Sequence, residues 1–574
     1  MTTPSRRGCE RPWWDPRRCR RLSLAVLIAT LGWLLLNVWL VPPLLRALYE
    51  GTLVVPSEVF EEQLSERRQE GDFELQLARW QDFSLWAAAA GPLLLLFVLA
   101  SSRSGPLGVA ARAGTARELG ILRAWVGVVA LIVLFSEDLV STASLPRSLL
   151  HLKGWLGLLE MIPGVEQALA RPGLLWLAQV GTVLALAAAT LGWRTRGSLA
   201  VAALGYFLVA GLLRSYTRFF HAGLIPLYLL LVLALAPSGD GFSLDRRRRR
   251  RRGDAQADER APSALHGWPI VACWTALVSI YLFAGLSKLR SGGAAWITAD
   301  SLRGILLRDS LQPMDFDFDG GLLLARAPAA LLTTIAAVAV LFELSYASVL
   351  FSARARRLLP PLAVCFHLTT LWLQNVLFLD LILLQAIVWR PLPRGAPLAL
   401  ATTAEKGSAA LSVARARRRA RAVAALLVLA FAFRAEFFPH SAMQMYAHAE
   451  ALPVEWHRAR VVLHAGGVLD ARLPSVFPAL RDARYRWALA DLLGPEGRDR
   501  RSAVELAQTF IARWNEERPH QEIRALEVAR LRSTLAAGGE LVTTVAATAT
   551  VWEASGSGDG PERGRAPPRA SESP

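Results

Sequence analysis

Lysine is rare in this chain. Of its 64 lysine and arginine residues only Lys153, Lys288 and Lys406 are lysines. An ammonium can lose its proton when desolvated and then act as a base, which a guanidinium cannot do. Lys288 closes the long apolar run Trp268 to Leu286, in the string Ser287-Lys288-Leu289-Arg290. A turn of Ser291, Gly292 and Gly293 follows, then Trp296 and an amphipathic piece from Asp300 to Arg308. A lysine at the end of an apolar run has a second explanation, a stem that lies along lipid while its head reaches the interface. Lys153 and Lys406 show that lysine also occurs here without an evident task.

Ionisable groups within or beside apolar runs are costly and therefore informative. Besides Lys288 they are Glu137, Asp138, Arg214, Arg218, His221, Glu343, His367 and Asp380. Together they could serve proton abstraction in a dry site: a desolvated amine as base, with a histidine or arginine stabilising the anion that forms. Singly, each has a plainer role. Glu343 could pair with an arginine, and His367 could be a satisfied core histidine. The four cysteines, Cys9, Cys19, Cys273 and Cys365, form no disulfide framework and no metal-ligand spacing. No His/Cys cluster has zinc spacing and no serine or cysteine sits in a nucleophile motif with a paired histidine, so metal and hydrolase readings are poor.

The elements that hold these residues read as membrane helices. The chain is 53% hydrophobic over 574 residues, with a mean hydropathy of +0.33. Repeated apolar runs of roughly 18 to 25 residues mark a multi-pass protein whose first partner is the lipid bilayer. The net charge of +17 is carried by arginines at the ends of those runs, including Arg246 to Arg252. That placement sets membrane topology and argues against nucleic-acid binding. The reading is an all-α polytopic membrane helix bundle of about eleven spans, N-terminus inside and C-terminus outside, in a cell inner (plasma) membrane. The expected divisions are a basic cytoplasmic tail (1–21), two leading spans (22–116), a main membrane domain (117–438), a small α+β extracytoplasmic domain (439–552) and a disordered tail (553–574). Leu358 to Trp389 is expected to break near Gln374-Asn375. A hairpin is expected around Gly466-Gly467, a helix over Ser502 to Glu516 and a strand over Glu540 to Trp552.

Around Lys288 the sequence resembles the HTTM family, the membrane domain shared with vitamin K-dependent gamma-carboxylase. The resemblance rests on Phe283-Ala284-Gly285-Leu286-Ser287-Lys288-Leu289 with Trp296 beyond, on Phe219-Phe220-His221 followed by Ser243-Leu244-Asp245, and on Glu343, then His367, Asn375 and Phe378. Phe438-Pro439-His440-Ser441 through Tyr446 is similar to the segment that leaves the last span in bacterial members. The resemblance implies a reduced vitamin K or menaquinol-type quinone as cofactor, with Lys288 as the base that deprotonates it. It implies His221 and His367 as further catalytic residues, Trp296, Glu343 and Arg218 as residues around the cofactor, and a peptide or small-molecule substrate. Two positions depart from the family: Ser287 stands where a first lysine would be, and Phe220 where an asparagine would precede His221. The alternative is a non-catalytic membrane protein that binds lipid or organises a complex.

Overall fold

The computed structural model describes residues 16–50, 52, 73–102, 106–216, 223–254, 258–389, 407–434, 438–439, 441, 446–494, 498–536 and 538–552. The expectations for Arg218, His221, His440 and the tail 553–574 fall outside these residues.

Apolar runs of bilayer length become helices because a helix satisfies its own backbone in lipid. Among the described residues six are long and apolar enough to cross a membrane: Leu24–Tyr49, Ala116–Ser144, Pro172–Leu191, Thr195–Ser215, Ala264–Ser291 and Ala329–Leu350. Ser84–Ala100 and Leu224–Ala234 are shorter apolar helices. Among the described residues, six helices of crossing length compare with the eleven spans that counting apolar runs gave. Leu224–Ala234, at 11 residues, is only about 16 Å long, half of a hydrocarbon core. The break expected at Gln374-Asn375 is there: the helix Ala355–Gln374 stops at Asn375, whose φ is +58°. Asparagine tolerates this left-handed backbone, and its side chain fixes the turn by accepting from Phe318 N at 2.7 Å and donating to Phe318 O at 3.2 Å.

The helix Ala264–Ser291 is the centre of the bundle, with 89% of its apolar window buried. Two of its glycines set how closely neighbours approach. A Cβ on Gly267 would stand 1.7 Å from Ala111 O, and one on Gly285 would stand 3.1 Å from the Glu343 Cβ. The first brings the short helix Pro106–Arg112 against the start of the central helix. The second brings Ala329–Ser345 against its end.

One end of the helices holds Arg123, Arg194 and the arginine run of residues 246–252. There Arg123, 1% exposed, donates to Ser238 O (2.9 Å), Phe242 O (2.7 Å) and Thr190 O (3.3 Å). Asp245 accepts from the backbone of Arg194 (2.9 Å) and Thr195 (2.7 Å) and from the Thr195 hydroxyl (2.7 Å). Burial opposes the charge of Asp245, but these hydrogen bonds outweigh it and hold the carboxyl below its ordinary range. Ser243 caps the helix Leu244–Arg251 that carries the arginine run.

At the other end sits a four-stranded antiparallel sheet in the order β2-β1-β3-β4, with β1 Val454–Leu463, β2 Val468–Asp470, β3 Ile523–Leu535 and β4 Leu541–Trp552. The hairpin expected around Gly466-Gly467 is β1–β2. The helix expected over Ser502 to Glu516 is Arg498–Glu517, and β4 matches the expected last strand. This unit is pinned to the helices. Arg484 grips Glu137 with both nitrogens (3.2 and 3.0 Å), Ser502 donates to Ser148 O (2.7 Å), and Arg481 pairs with Asp315.

Candidate functional site

Lys288 is buried, 5% exposed, and its ammonium nitrogen donates to both carboxylate oxygens of Glu343, at 2.7 and 2.9 Å. Glu343 is itself 6% exposed. The close packing at Gly285 makes this contact, because it lets the helix of Glu343 approach the helix of Lys288. The plain expectation that Glu343 meets a neighbouring arginine is therefore corrected: its partner is the buried lysine. A buried pair holds its place when opposite charges compensate each other and the remaining lone pairs find donors. The Lys288 nitrogen also lies 5.2 Å from the centre of the Trp296 ring, where an ammonium is attracted to the aromatic face. Trp296 is anchored in turn by its indole N–H, which donates to Tyr446 O at 2.7 Å.

Lys288, Trp296, Glu343 and His367 all line one cavity of about 500 Å³. Its volume suits a drug-sized molecule, for which pockets run about 300–1,000 Å³. Four segments build its walls: the central helix with Tyr281, Ala284 and Lys288, the segment with Trp296, Leu302 and Leu306, the Ala329–Ser345 helix, and the Ala355–Gln374 helix. The lining is apolar and aromatic, with Phe342, Phe366 and Phe378 among it. Rings of Phe342 and Phe366 lie 5.0 Å apart, and His367 lies 5.3 Å from Phe378.

A second polar group stands in the same wall. His367 Nε2 and the Tyr281 hydroxyl are 2.7 Å apart, and Gln385 Nε2 donates to that hydroxyl at 2.8 Å. Tyr346 donates to the Gln385 carbonyl oxygen and stacks on Tyr281 with ring centres 4.1 Å apart. The direction that satisfies this chain runs Tyr346 to Gln385 to Tyr281 to His367, which leaves the proton of the imidazole on Nδ1. His367 Nδ1 has no hydrogen-bond partner among the described residues. The expectation of a satisfied core histidine accounts for one of its nitrogens only.

Just beyond, Asp309 lies beside Tyr446 and Arg308, with Arg308 Nε 3.1 Å from its carboxylate. Burial pushes the Asp309 carboxyl up to about 6, against the pull of Arg308. Of the six residues that the resemblance assigns to the site, four meet in the cavity, and Arg218 and His221 lie outside the described residues. Glu137 and Asp380 stand elsewhere in structural roles. Glu137 holds Arg484 of the sheet unit, and Asp380 accepts from Gly223 N at 3.0 Å.

Sequence reasoning missed Tyr281, Tyr346 and Gln385, and noted Tyr446 only as the end of the segment after the last span, without a role at the site. For Tyr281 a signal existed: with Ala284 and Lys288 it forms an i, i+3, i+7 row, one face of a helix. Tyr346 follows Glu343 by three residues, so the same rule reaches it, whereas Gln385 and Tyr446 meet Tyr281 and Trp296 only by folding, across 104 and 150 residues. Among the described residues no group of three or more His, Cys, Asp or Glu could hold a metal ion.

Residues 114–388 match the family model of the HTTM domain, so the chain carries an HTTM domain that includes the cavity's helices. No curated protein and no solved structure matches the chain.

Proposed function

We propose, with the HTTM domain as premise, that this multi-pass membrane protein is an enzyme of the vitamin K-dependent carboxylase type. It binds a reduced quinone in the cavity and uses Lys288 to take a proton from a ring hydroxyl. One observation carries the reading: a buried amine, paired with a carboxylate, in the wall of an apolar, aromatic cavity of about 500 Å³. Such a cavity fits a flat ring bearing oxygens. Its aromatic side chains hold the ring by stacking, and its polar groups include two hydrogen-bonded pairs, Lys288–Glu343 and Tyr281–His367.

The bound quinol supplies reducing power and reactivity towards oxygen. The chain's residues supply the rest. Lys288 and Glu343 carry no net charge together, whether as ammonium and carboxylate or as amine and carboxylic acid. With the proton on Glu343, the Lys288 lone pair can accept one from the ligand, and the ammonium then faces the anion it has made. The low dielectric of the cavity strengthens that attraction and keeps water from competing. His367, held through Nε2 by Tyr281, has its Nδ1–H left to offer a hydrogen bond to a second ring oxygen. The gathering of arginine-rich segments at the end opposite the sheet supports a plasma-membrane protein with the sheet on the extracytoplasmic side.

A second reading, a lipid-binding protein without catalysis, is favoured by Ser287 at the position of the family's first lysine and by the two-pronged hold of Glu343 on Lys288. The test is conversion of reduced naphthoquinones to epoxides by purified protein, wild type against Lys288→Ala. Product that disappears in the variant supports the enzyme. Saturable quinone binding without product supports the second reading, and neither binding nor product rules out quinone as the ligand.

A further inference from the structure

The cavity is not sealed on all sides. Thr334 and Val338 on one helix, and Leu362, Cys365 and Thr369 on the next, line the cavity and are also exposed. Val338 is 58% exposed and Leu362 53%. The two rows follow i, i+4 and i, i+3, i+7 spacing, so each is a stripe along one helix face. They border a slot between the helices Ala329–Ser345 and Ala355–Gln374, which are joined at one end by the turn Tyr346–Leu350.

What surrounds the slot decides what it opens onto. Leu331, Leu341, Leu358, Leu368 and Trp372 are 47 to 64% exposed around it. From 329 to 342 and from 358 to 374 there is no Asp, Glu, Lys or Arg. An exposed apolar surface of this kind has no place in water. It belongs against acyl chains, and the first of the two helices is among those apolar enough to cross a membrane.

We infer that the slot between these helices is a lateral gateway, through which a bilayer-dissolved amphiphile reaches Lys288 with its ring inside and its hydrocarbon tail left between Val338 and Cys365. This rests on the proposal that the cavity binds such a ligand, and it adds the route and the requirement for a tail. A ligand delivered this way never crosses water. A polar, tailless analogue lacks both the reservoir in the membrane and the fit at the threshold.

Cys365 reports on the gateway directly. In full-length protein carrying Cys9→Ser and Cys19→Ser, reconstituted in phosphatidylcholine vesicles, pyrene maleimide is expected to label Cys365 at least tenfold faster than a sulfonated maleimide added to both faces. Equal rates would mean that the slot faces water and would overturn the inference. In a second arm, a photoreactive naphthoquinone with an isoprenoid tail is crosslinked before and after Cys365 carries pyrene. Crosslinking at the cavity should fall at least tenfold, and Cys365→Ser protein should be insensitive to the reagent. Unchanged crosslinking through a blocked Cys365 overturns the gateway. If no quinone crosslinks to unmodified protein, the quinone proposal fails, while the two maleimide rates still decide where the slot opens.

Discussion

At the scale of single residues, the site depends on groups whose charge is expensive where they stand. Lys288 was visible in the sequence because arginine displaces lysine almost everywhere else. Its partner was not visible, since Glu343 lies 55 residues away and only packing brings the two to 2.7 Å. Asp309, at the margin of the cavity, makes the cost of charge measurable. Burial lifts its carboxyl to about 6 in the folded chain, above the ordinary aspartate value near 3.9. A raised carboxyl favours the protonated form in the fold, so its contribution to stability is full below about pH 4 and is lost as the pH rises through about 6. Asp309→Asn, which cannot ionise, should therefore gain thermal stability over wild type as the pH rises from 4 to 8. The difference is at most about 3 kcal/mol, from the size of the shift. Melting curves in detergent across that range check this. A difference that does not change with pH would contradict the buried charge.

At the scale of elements, the central helix was legible and its surroundings were partly so. The apolar run, the exit at Ser287-Lys288 and the break at Asn375 follow from composition and backbone preference, which are local properties. Helix lengths were less legible, because an apolar run does not show where the chain turns. The helix after Gly223 starts from a left-handed glycine at φ +78° and lasts only 11 residues. The strand β3 escaped notice for a different reason. Its Ala-Leu-Glu-Val-Ala-Arg-Leu-Arg stretch is rich in helix formers, and pairing with β1 and β4 on both sides overrides that preference. Gly285 is the element-level feature on which the site turns. Gly285→Val would push the Glu343 helix away from the Lys288 helix, since even a Cβ there meets Glu343 and Leu344 at 3.1 Å. Overpacking of this kind costs about 1–3 kcal/mol. Quinone binding should weaken at least tenfold in the variant, while Gly181→Val, at a glycine with open space around it, should leave binding unchanged. Titration of tritiated menaquinone into both proteins measures the contrast.

At the scale of the whole molecule, the sheet unit forms a cap on one end of the helices. One of its ties is Arg484 to Glu137, with side chains 8% and 17% exposed. Removing one partner of a buried pair leaves the other charge uncompensated, at about 3–5 kcal/mol. Arg484→Ala should lower the melting temperature and speed proteolysis of the sheet unit, and Arg484→Ala with Glu137→Gln should recover part of the loss. A double variant no more stable than the single one would show that the pair does not hold the cap. The cap bears on function through Tyr446, which lies on the way from the last helix to β1, holds Trp296 through its carbonyl and lines the cavity. From the sequence the two units were separable by composition alone, but their contact surface was not, because ion pairs such as Arg484–Glu137 join positions 347 residues apart.

The account's central claim is that Lys288 handles a proton and is more than one half of a structural ion pair. Lys288→Arg separates the two roles, since arginine keeps the positive charge beside Glu343 but cannot become a neutral base. The decisive measurement is epoxide formation from reduced naphthoquinone by Lys288→Arg protein, with its melting temperature recorded beside that of wild type. The account predicts a folded protein that binds the quinone and forms no product. Product at the wild-type rate from Lys288→Arg would contradict it and leave Lys288 as a structural charge.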